Sequence, residues 1–230
     1  MNRMIVAIGG GELKTKETAE IDRFLCGQAS VRAEGRRAVA LFVGTASHDC
    51  MPYYNSFHKT YTGDYGLKTD VALVSAGVSD REKLEGKFAK ADLIYVGGGD
   101  TVYMLKRWKE TGVDLLIGEA YRRGAIVCGL SAGAICWFSE MYSDSASEDG
   151  DGAPYRFLPA LGFLKGGACP HFEERREDFL SAVATGRHED EFYCIGNRSA
   201  LLFENEKYSG TIGPGESFVY RAAAGSAEKL

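Results

Sequence analysis

The sequence predicts an α/β protein built on a doubly wound, mostly parallel sheet flanked by helices. Three observations carry this. Short apolar runs recur, each bounded by glycine: MIVAIGGG, AVALFVGTAS, DVALVSAG, ADLIYVGGGD and AIVCGLSAG. Their apolarity is continuous rather than alternating, as in strands covered on both faces. Segments of helical period separate them, the alternation that builds parallel sheets.

Taken in order, Met4 to Ile8 reads as the first strand, because the N-terminus lacks the length and the small-residue cleavage pattern of a signal peptide. The next segment, TKETAEIDRFLCGQASVRA, aligns Ile21, Phe24, Leu25 and Gln28 on one helical face. DTVYMLKRWKETG places Val102, Leu105 and Trp108 similarly, with Gly112 as the helix stop. Ligands in such sheets bind beyond the carboxyl ends of the strands. Those ends carry the glycines here: Gly9 to Gly11, Gly97 to Gly99, and Gly129 with Gly133. MYSDSASEDGDGAPYRF reads as an acidic, glycine-rich surface loop. The tail from Phe192 alternates enough for antiparallel strands with a Gly-Pro-Gly turn. No repeat or linker interrupts the chain, so residues 1–230 are read as one domain.

Composition narrows the function. The chain has 230 residues, 45% of them hydrophobic, enough for a substantial core. A net charge of −5 argues against a nucleic-acid partner, which needs a basic footprint. No apolar run reaches membrane-spanning length. The six cysteines, Cys26, Cys50, Cys128, Cys136, Cys169 and Cys194, form no Cys-x-x-Cys pair. They read as small buried hydrophobes of a reducing compartment, which predicts a cytoplasmic protein. No metal or organic cofactor is implied: YVGGGDT lacks the Lys-Ser/Thr of a phosphate loop, and GGGELK lacks the third glycine of a dinucleotide fingerprint.

The chemistry concentrates in Gly129-Leu130-Ser131-Ala132-Gly133, a Gly-x-Ser-x-Gly pattern between a predicted strand and a predicted helix. A serine on so sharp a turn needs small neighbours, and its hydroxyl is then exposed at the sheet edge. The N–H that follows, on Ala132, can face a developing oxyanion, helped by the positive end of the helix. The turn at Gly98 and Gly99 can bring a second N–H. A serine nucleophile needs a base, and there are four histidines: His48, His58, His171 and His188. His188 lies in a charged stretch and reads as a surface residue, while His48 and His58 stay unassigned. His171, after a glycine-rich run and Pro170, is favoured as the general base. The residue that orients its imidazole is left open among Asp144, Glu173 and Glu174.

With these pieces in order, the chain resembles the peptidase E and cyanophycinase family of serine peptidases. The resemblance rests on Gly97-Gly98-Gly99-Asp100, Gly129-Leu130-Ser131-Ala132-Gly133-Ala134 and Pro170-His171-Phe172, and covers nearly the whole chain. It implies a fold similar to class I glutamine amidotransferases. It further implies Ser131 as nucleophile, His171 as base, and the N–H groups of Gly99 and Ala132 as oxyanion hole. Its characterised members act on aspartate-containing peptides, so recognition of an acidic group is implied, with Arg175 or Arg176 as the candidate for it; Asp100 is a further candidate substrate-binding residue. One departure stands out: where the family carries a carboxylate near the C-terminus, this chain reads Ile195-Gly196-Asn197-Arg198, without an acid. Asp144 matches an aspartate also assigned to the family triad and is put forward; Asn197 is the alternative.

The expectation is therefore a serine peptidase hydrolysing small peptides, with Asp-x dipeptides as the implied substrates. Its partner is a small peptide, and a homodimer is left open. A second reading is a catalytically weakened member that binds a small acidic ligand without turnover. A third, an esterase of the α/β-hydrolase type, is disfavoured because only 99 residues follow Ser131.

Overall fold

The computed structural model describes residues 2–78, 80–145, 155–185, 191–221 and 224–230. Two sheets organise them. The parallel part of the first joins β1 (Met4–Ile8), β2 (Val39–Val43), β3 (Lys68–Ala72), β4 (Leu93–Val96) and β5 (Ile126–Leu130). The antiparallel hairpin β10 (Ala200–Glu204) and β11 (Lys207–Ile212) extends it beside β1, giving seven strands in the order β11-β10-β1-β5-β4-β2-β3.

The second sheet has six strands, with β8 (Leu164–Cys169) between β6 (Phe138–Ser143) and β9 (Glu191–Ile195), parallel to both. Strands β7 (Arg156–Pro159), β12 (Ser217–Arg221) and β13 (Ser226–Lys229) complete it. The predicted Gly-Pro-Gly turn, 213–215, thus carries the chain from one sheet to the other rather than closing a hairpin within one. The sequence pointed to a single sheet; the second went unseen because β8 is interrupted by glycines and β6 runs into the segment read as a surface loop.

Four of the five apolar runs have the cause inferred for them; the exception, DVALVSAG, falls on the edge strand β3, which is only partly buried. On β1, Ile5 and Ala7 pack into one core while Met4, Val6 and Ile8 pack into another on the opposite face. Neither face meets water, so no position on the strand favours a polar residue. The helices supply the cover. Helix α1 (Ala19–Arg32) buries Ile21, Leu25, Cys26 and Ala29, and α2 (Met51–His58) buries Phe57. Helix α3 (Arg81–Lys90) buries Leu84 and Phe88. Helix α4 (Thr101–Thr111) buries Thr101, Met104 and Trp108, and stops at Gly112 in the left-handed conformation, where glycine carries no Cβ penalty. Its inward stripe is thus one residue off the predicted Val102–Leu105 line, and both of those residues are only partly buried. From Gly112 the chain enters α5 (Val113–Arg123), which leads into β5. All six cysteines are free; five are buried and Cys50 is exposed. Among the described residues, no helix is long and apolar enough to cross a membrane.

One buried polar group has a consequence for stability. Asp22, on the core side of α1, accepts hydrogen bonds from Tyr61 Oη (2.7 Å) and Thr18 Oγ1 (2.8 Å). Burial outweighs these bonds and pushes its carboxyl from the ordinary 3.8 up to about 6. A raised carboxyl pKa means the folded state holds the proton more tightly than the unfolded chain. The stabilisation it gives is present below about pH 4 and is lost as pH rises to about 6, up to about 3 kcal/mol. An asparagine side chain at this position would accept from one hydroxyl and donate Nδ2–H to the other, without the charge. Asp22→Asn is therefore expected to gain stability relative to the parent between pH 4 and pH 7, checked by denaturant midpoints across that range.

Candidate active site

The centre of the first sheet sets the site. Strand β5 lies between β1 and β4, so three carboxyl ends meet: Ile8 with Gly9 to Gly11, Val96 with Gly97 to Gly99, and Leu130 with Ser131. At Ser131 the chain turns sharply into α6 (Ala132–Ile135), with φ 54° and ψ −110°. A non-glycine residue there is strained by roughly 1–3 kcal/mol. The surroundings hold it in place: Ser131 N–H donates to the Ile8 carbonyl (2.9 Å), and its own carbonyl accepts from Ala134 (2.8 Å) and Ile135 (3.1 Å). The flanking glycines are required sterically. A Cβ on Gly129 would lie 2.2 Å from the Gly133 carbonyl oxygen, and one on Gly133 would lie 2.3 Å from that of Val96. Helix α6 is a single turn, so its macrodipole adds less than the sequence suggested; any oxyanion contact rests on individual N–H groups.

The second sheet supplies the histidine that meets Ser131. His171 follows β8 and Asn197 follows the neighbouring parallel strand β9, so adjacent strand ends bring them side by side. Three backbone bonds dock both onto the glycine turn after β1: His171 N–H to Gly9 O (3.1 Å), Gly9 N–H to Ser199 O (2.9 Å) and Arg198 N–H to Gly10 O (2.9 Å). His171 Nε2 then lies 2.9 Å from Ser131 Oγ, and its Nδ1 lies 2.7 Å from Asn197 Oδ1.

The rest of the amide fixes the direction of these bonds. Asn197 Nδ2 donates to Glu174 Oε1 (2.9 Å), which leaves Oδ1 to accept from Nδ1–H. The imidazole then presents the Nε2 lone pair to the serine hydroxyl. Glu173 accepts the Asn197 backbone N–H on both carboxylate oxygens (3.1 and 2.9 Å).

The other predicted residues fall as follows. Asp144 is not at the imidazole: it pairs with Arg175 (3.1 Å), and Asn197 holds the place offered to it. Arg175 is itself buried, donating also to the Tyr142 carbonyl (3.3 Å) and lying 4.7 Å from the Tyr155 ring centre. Arg176 lies over Phe172 and Phe218. Neither arginine lines the cleft at Ser131, because α7 (Phe172–Thr185) turns them toward the second sheet. Asp100 caps α4 by accepting from the Tyr103 N–H (3.0 Å), a contribution of about 1 kcal/mol to that helix. His48 packs on Tyr103 and His58 meets Thr69, and neither lines the cleft at Ser131; His188 lies outside the described residues.

Gly99 lines the cleft beside Ser131. Its φ of 139° and a Cβ position 2.2 Å from the Ala46 carbonyl oxygen admit only glycine. The Ala46 turn is held in turn by Trp108 Nε1, which donates to Thr45 Oγ1 (3.0 Å). Ala132 opens α6, and its N–H has no carbonyl one turn back to bond.

The cleft itself, about 430 Å³, is lined by Glu12, Leu13, Pro52, Tyr53, Ser56 and the glycine turns around Ser131 and His171. Glu12 and Tyr53 were not singled out from the sequence. Their approach to Ser131 depends on how α2 packs and on the path of the turn after β1. Among the described residues, no group of three or more His, Cys, Asp or Glu is arranged to hold a metal ion.

Known proteins share both sequence and fold. Residues 5–210 match the model of peptidase family S51. The uncharacterized peptidase YgaJ of Bacillus subtilis (strain 168) is 33% identical over 218 residues, covering 91% of this chain and 87% of that protein. Peptidase E of Citrobacter koseri is 34% identical over 179 residues, covering 69% and 74%. A peptidase from an acI-B1 Actinobacterium superposes over 100% of this chain and 94% of its own, with a TM-score of 0.76 at 16% identity. A family match spanning most of the chain, with a relative of one-third identity over nine-tenths of it, places the chain: it belongs to peptidase family S51 and is a peptidase E-like hydrolase.

Proposed function

We propose that this peptidase works through Ser131 as a nucleophile on its strand-to-helix elbow, with His171 as general base and Asn197 in the orienting position. The observation that carries the reading is the continuous hydrogen-bond chain Ser131 Oγ–His171 Nε2 (2.9 Å) and His171 Nδ1–Asn197 Oδ1 (2.7 Å). In this reading Ser131 Oγ attacks the peptide carbonyl while His171 Nε2 takes its proton. The oxyanion is received by the N–H groups of Gly99 and Ala132. His171 then protonates the leaving amine, and water releases the acyl group by the reverse sequence.

The cleft volume suits a short peptide rather than a folded chain. The family resemblance favours Asp-x dipeptides. Arg175 and Arg176 face elsewhere; Arg198 lies in the recess that adjoins His171, among Glu17, Glu173 and Glu174. Glu12 in the cleft suits the free ammonium group of a peptide. The test is a panel of Asp-x, Glu-x and Ala-x dipeptides, each free and Nα-acetylated, assayed beside Ser131→Ala. We expect free dipeptides to be cleaved by the parent alone, with Nα-acetylation costing at least about tenfold in kcat/KM. Ligand-induced thermal stabilisation without cleavage of any peptide would favour the weakened, binding-only alternative that Asn197 first suggested.

A further inference from the structure

We infer that Glu174 is a positioning residue for His171, acting one hydrogen bond removed, through Asn197, as the carboxylate of the site; this rests on the serine–histidine reading above. The chain Ser131–His171–Asn197 ends on a neutral amide, which by itself could turn either of its two faces to the imidazole. Glu174 removes that freedom. Its Oε1 can only accept, and it takes the Asn197 Nδ2–H at 2.9 Å. A flipped amide would set Oδ1 against the carboxylate, and its Nδ2–H could bond Nδ1 only in the tautomer that protonates Nε2, which removes the lone pair facing Ser131. The amide is thereby polarised, and Oδ1 carries more negative charge toward the imidazolium that forms during proton transfer.

The placement follows from sequence spacing. Glu174 lies three residues after His171, and Glu174 N–H donates to the His171 carbonyl (3.0 Å), so one turn at the start of α7 holds the base and its distant carboxylate together. Glu173, one residue earlier, secures the Asn197 backbone through both of its oxygens. The same arrangement accounts for the missing acid at 197. An aspartate there would set a third carboxylate 2.9 Å from Glu174 Oε1 and beside Glu173. Such a pair cannot both ionise near neutral pH, so an acid would hold a proton rather than orient one.

The test reads His171 directly and needs no turnover. The imidazole is titrated by NMR in the parent, Glu174→Gln and Glu177→Gln, with the resonance assigned by His171→Ala. Charged groups around the imidazole are Glu12 on the cleft side and Glu17, Glu173, Glu174 and Arg198 on the recess side. Glu177, exposed on the same helix, controls for general loss of charge. Glu174→Gln is expected to lower the His171 pKa by roughly half a unit or more, because an imidazolium loses its nearest linked anion. Glu177→Gln should leave it in place.

In the hydrolysis assay, Glu174→Gln is expected to lower kcat about tenfold with KM unchanged, and Glu174→Asp to recover part of the loss. In an Asn197→Ala background the kcat effect of Glu174→Gln should vanish, since the link is gone. A His171 titration that Glu174→Gln leaves within about 0.1 unit of the parent overturns the inference. A kcat loss that persists in full without Asn197 also overturns it. Failure of the serine–histidine reading shows separately, as absence of covalent labelling at Ser131 while the titration still reports on Glu174.

Discussion

Ser131→Ala is expected to lower kcat for dipeptide hydrolysis by on the order of 10⁴–10⁶-fold while leaving KM within a few-fold. The substitution removes one oxygen from a turn whose other contacts are made by backbone: the N–H to the Ile8 carbonyl and the carbonyl to Ala134 and Ile135 do not involve it. The cleft walls are likewise unaltered, since Glu12, Tyr53 and Gly99 reach it from other segments. His171→Ala should cost a similar amount, and the double variant little more than either alone. Nucleophile and base act as a unit, so once one is gone the other has nothing to do. Rates for the parent, both single variants and the double variant, measured with thermal midpoints for each, check this directly. Independent, multiplicative losses would mean that the 2.9 Å contact between Oγ and Nε2 is not used in the reaction.

Gly10→Ala should also be strongly damaging, although residue 10 makes no proposed contact with substrate. A Cβ at Gly10 would lie 2.0 Å from Asn197 Oδ1 and 2.5 Å from His171 Nδ1, wedged into the bond between them. The backbone cannot retreat: Gly9 is fixed by Ser199 and His171, and the Gly10 carbonyl by Arg198 N–H. The side chains must therefore separate, and the imidazole loses its orienting partner. Loss of that partner costs up to about 10⁴ in rate where it has been measured in a serine triad. A loss of about 10²–10⁴ in kcat is expected here. Gly10 does not have a positive φ, so alanine is conformationally allowed and the fold should persist. Gly9→Ala separates the two effects, because its Cβ would meet the Gly196 carbonyl oxygen at 2.3 Å and strain backbone rather than side chains. The expected pattern is an inactive but stable Gly10→Ala and a destabilised Gly9→Ala, read from kcat and thermal midpoint together.

Much of this was legible in the sequence because it is local. The apolar runs that became β1, β2, β4 and β5 are dictated by burial on both faces, and Gly129 and Gly133 by backbone approach around one serine. His171 was legible through Pro170 and its place after a glycine-rich strand. What the sequence could not show depends on which strand ends become neighbours. Asp144 and Asn197 were both open as partners of the histidine. Strand pairing leaves both within reach, because β8 is parallel to β6 and to β9; the side chains decide, with Asn197 on the imidazole and Asp144 turned to Arg175. Arg175 and Arg176 looked equally free in a charged run, yet helical phase buries one and lays the other over Phe172 and Phe218. YSDS resembled part of a surface loop. In the fold Ser145 Oγ accepts the Thr101 N–H (2.9 Å) at the start of α4, so the motif braces the turn that carries Gly99.

In the proposed mechanism Ser131 is made nucleophilic by His171. The most direct measurement is reaction with a fluorophosphonate, followed by mass spectrometry of the intact chain and its peptides. One adduct per chain is expected on the peptide containing Ser131, formed at least about a hundredfold more slowly in His171→Ala. No adduct at Ser131 under conditions where the parent hydrolyses peptides, or an adduct whose rate is indifferent to His171, would contradict the mechanism.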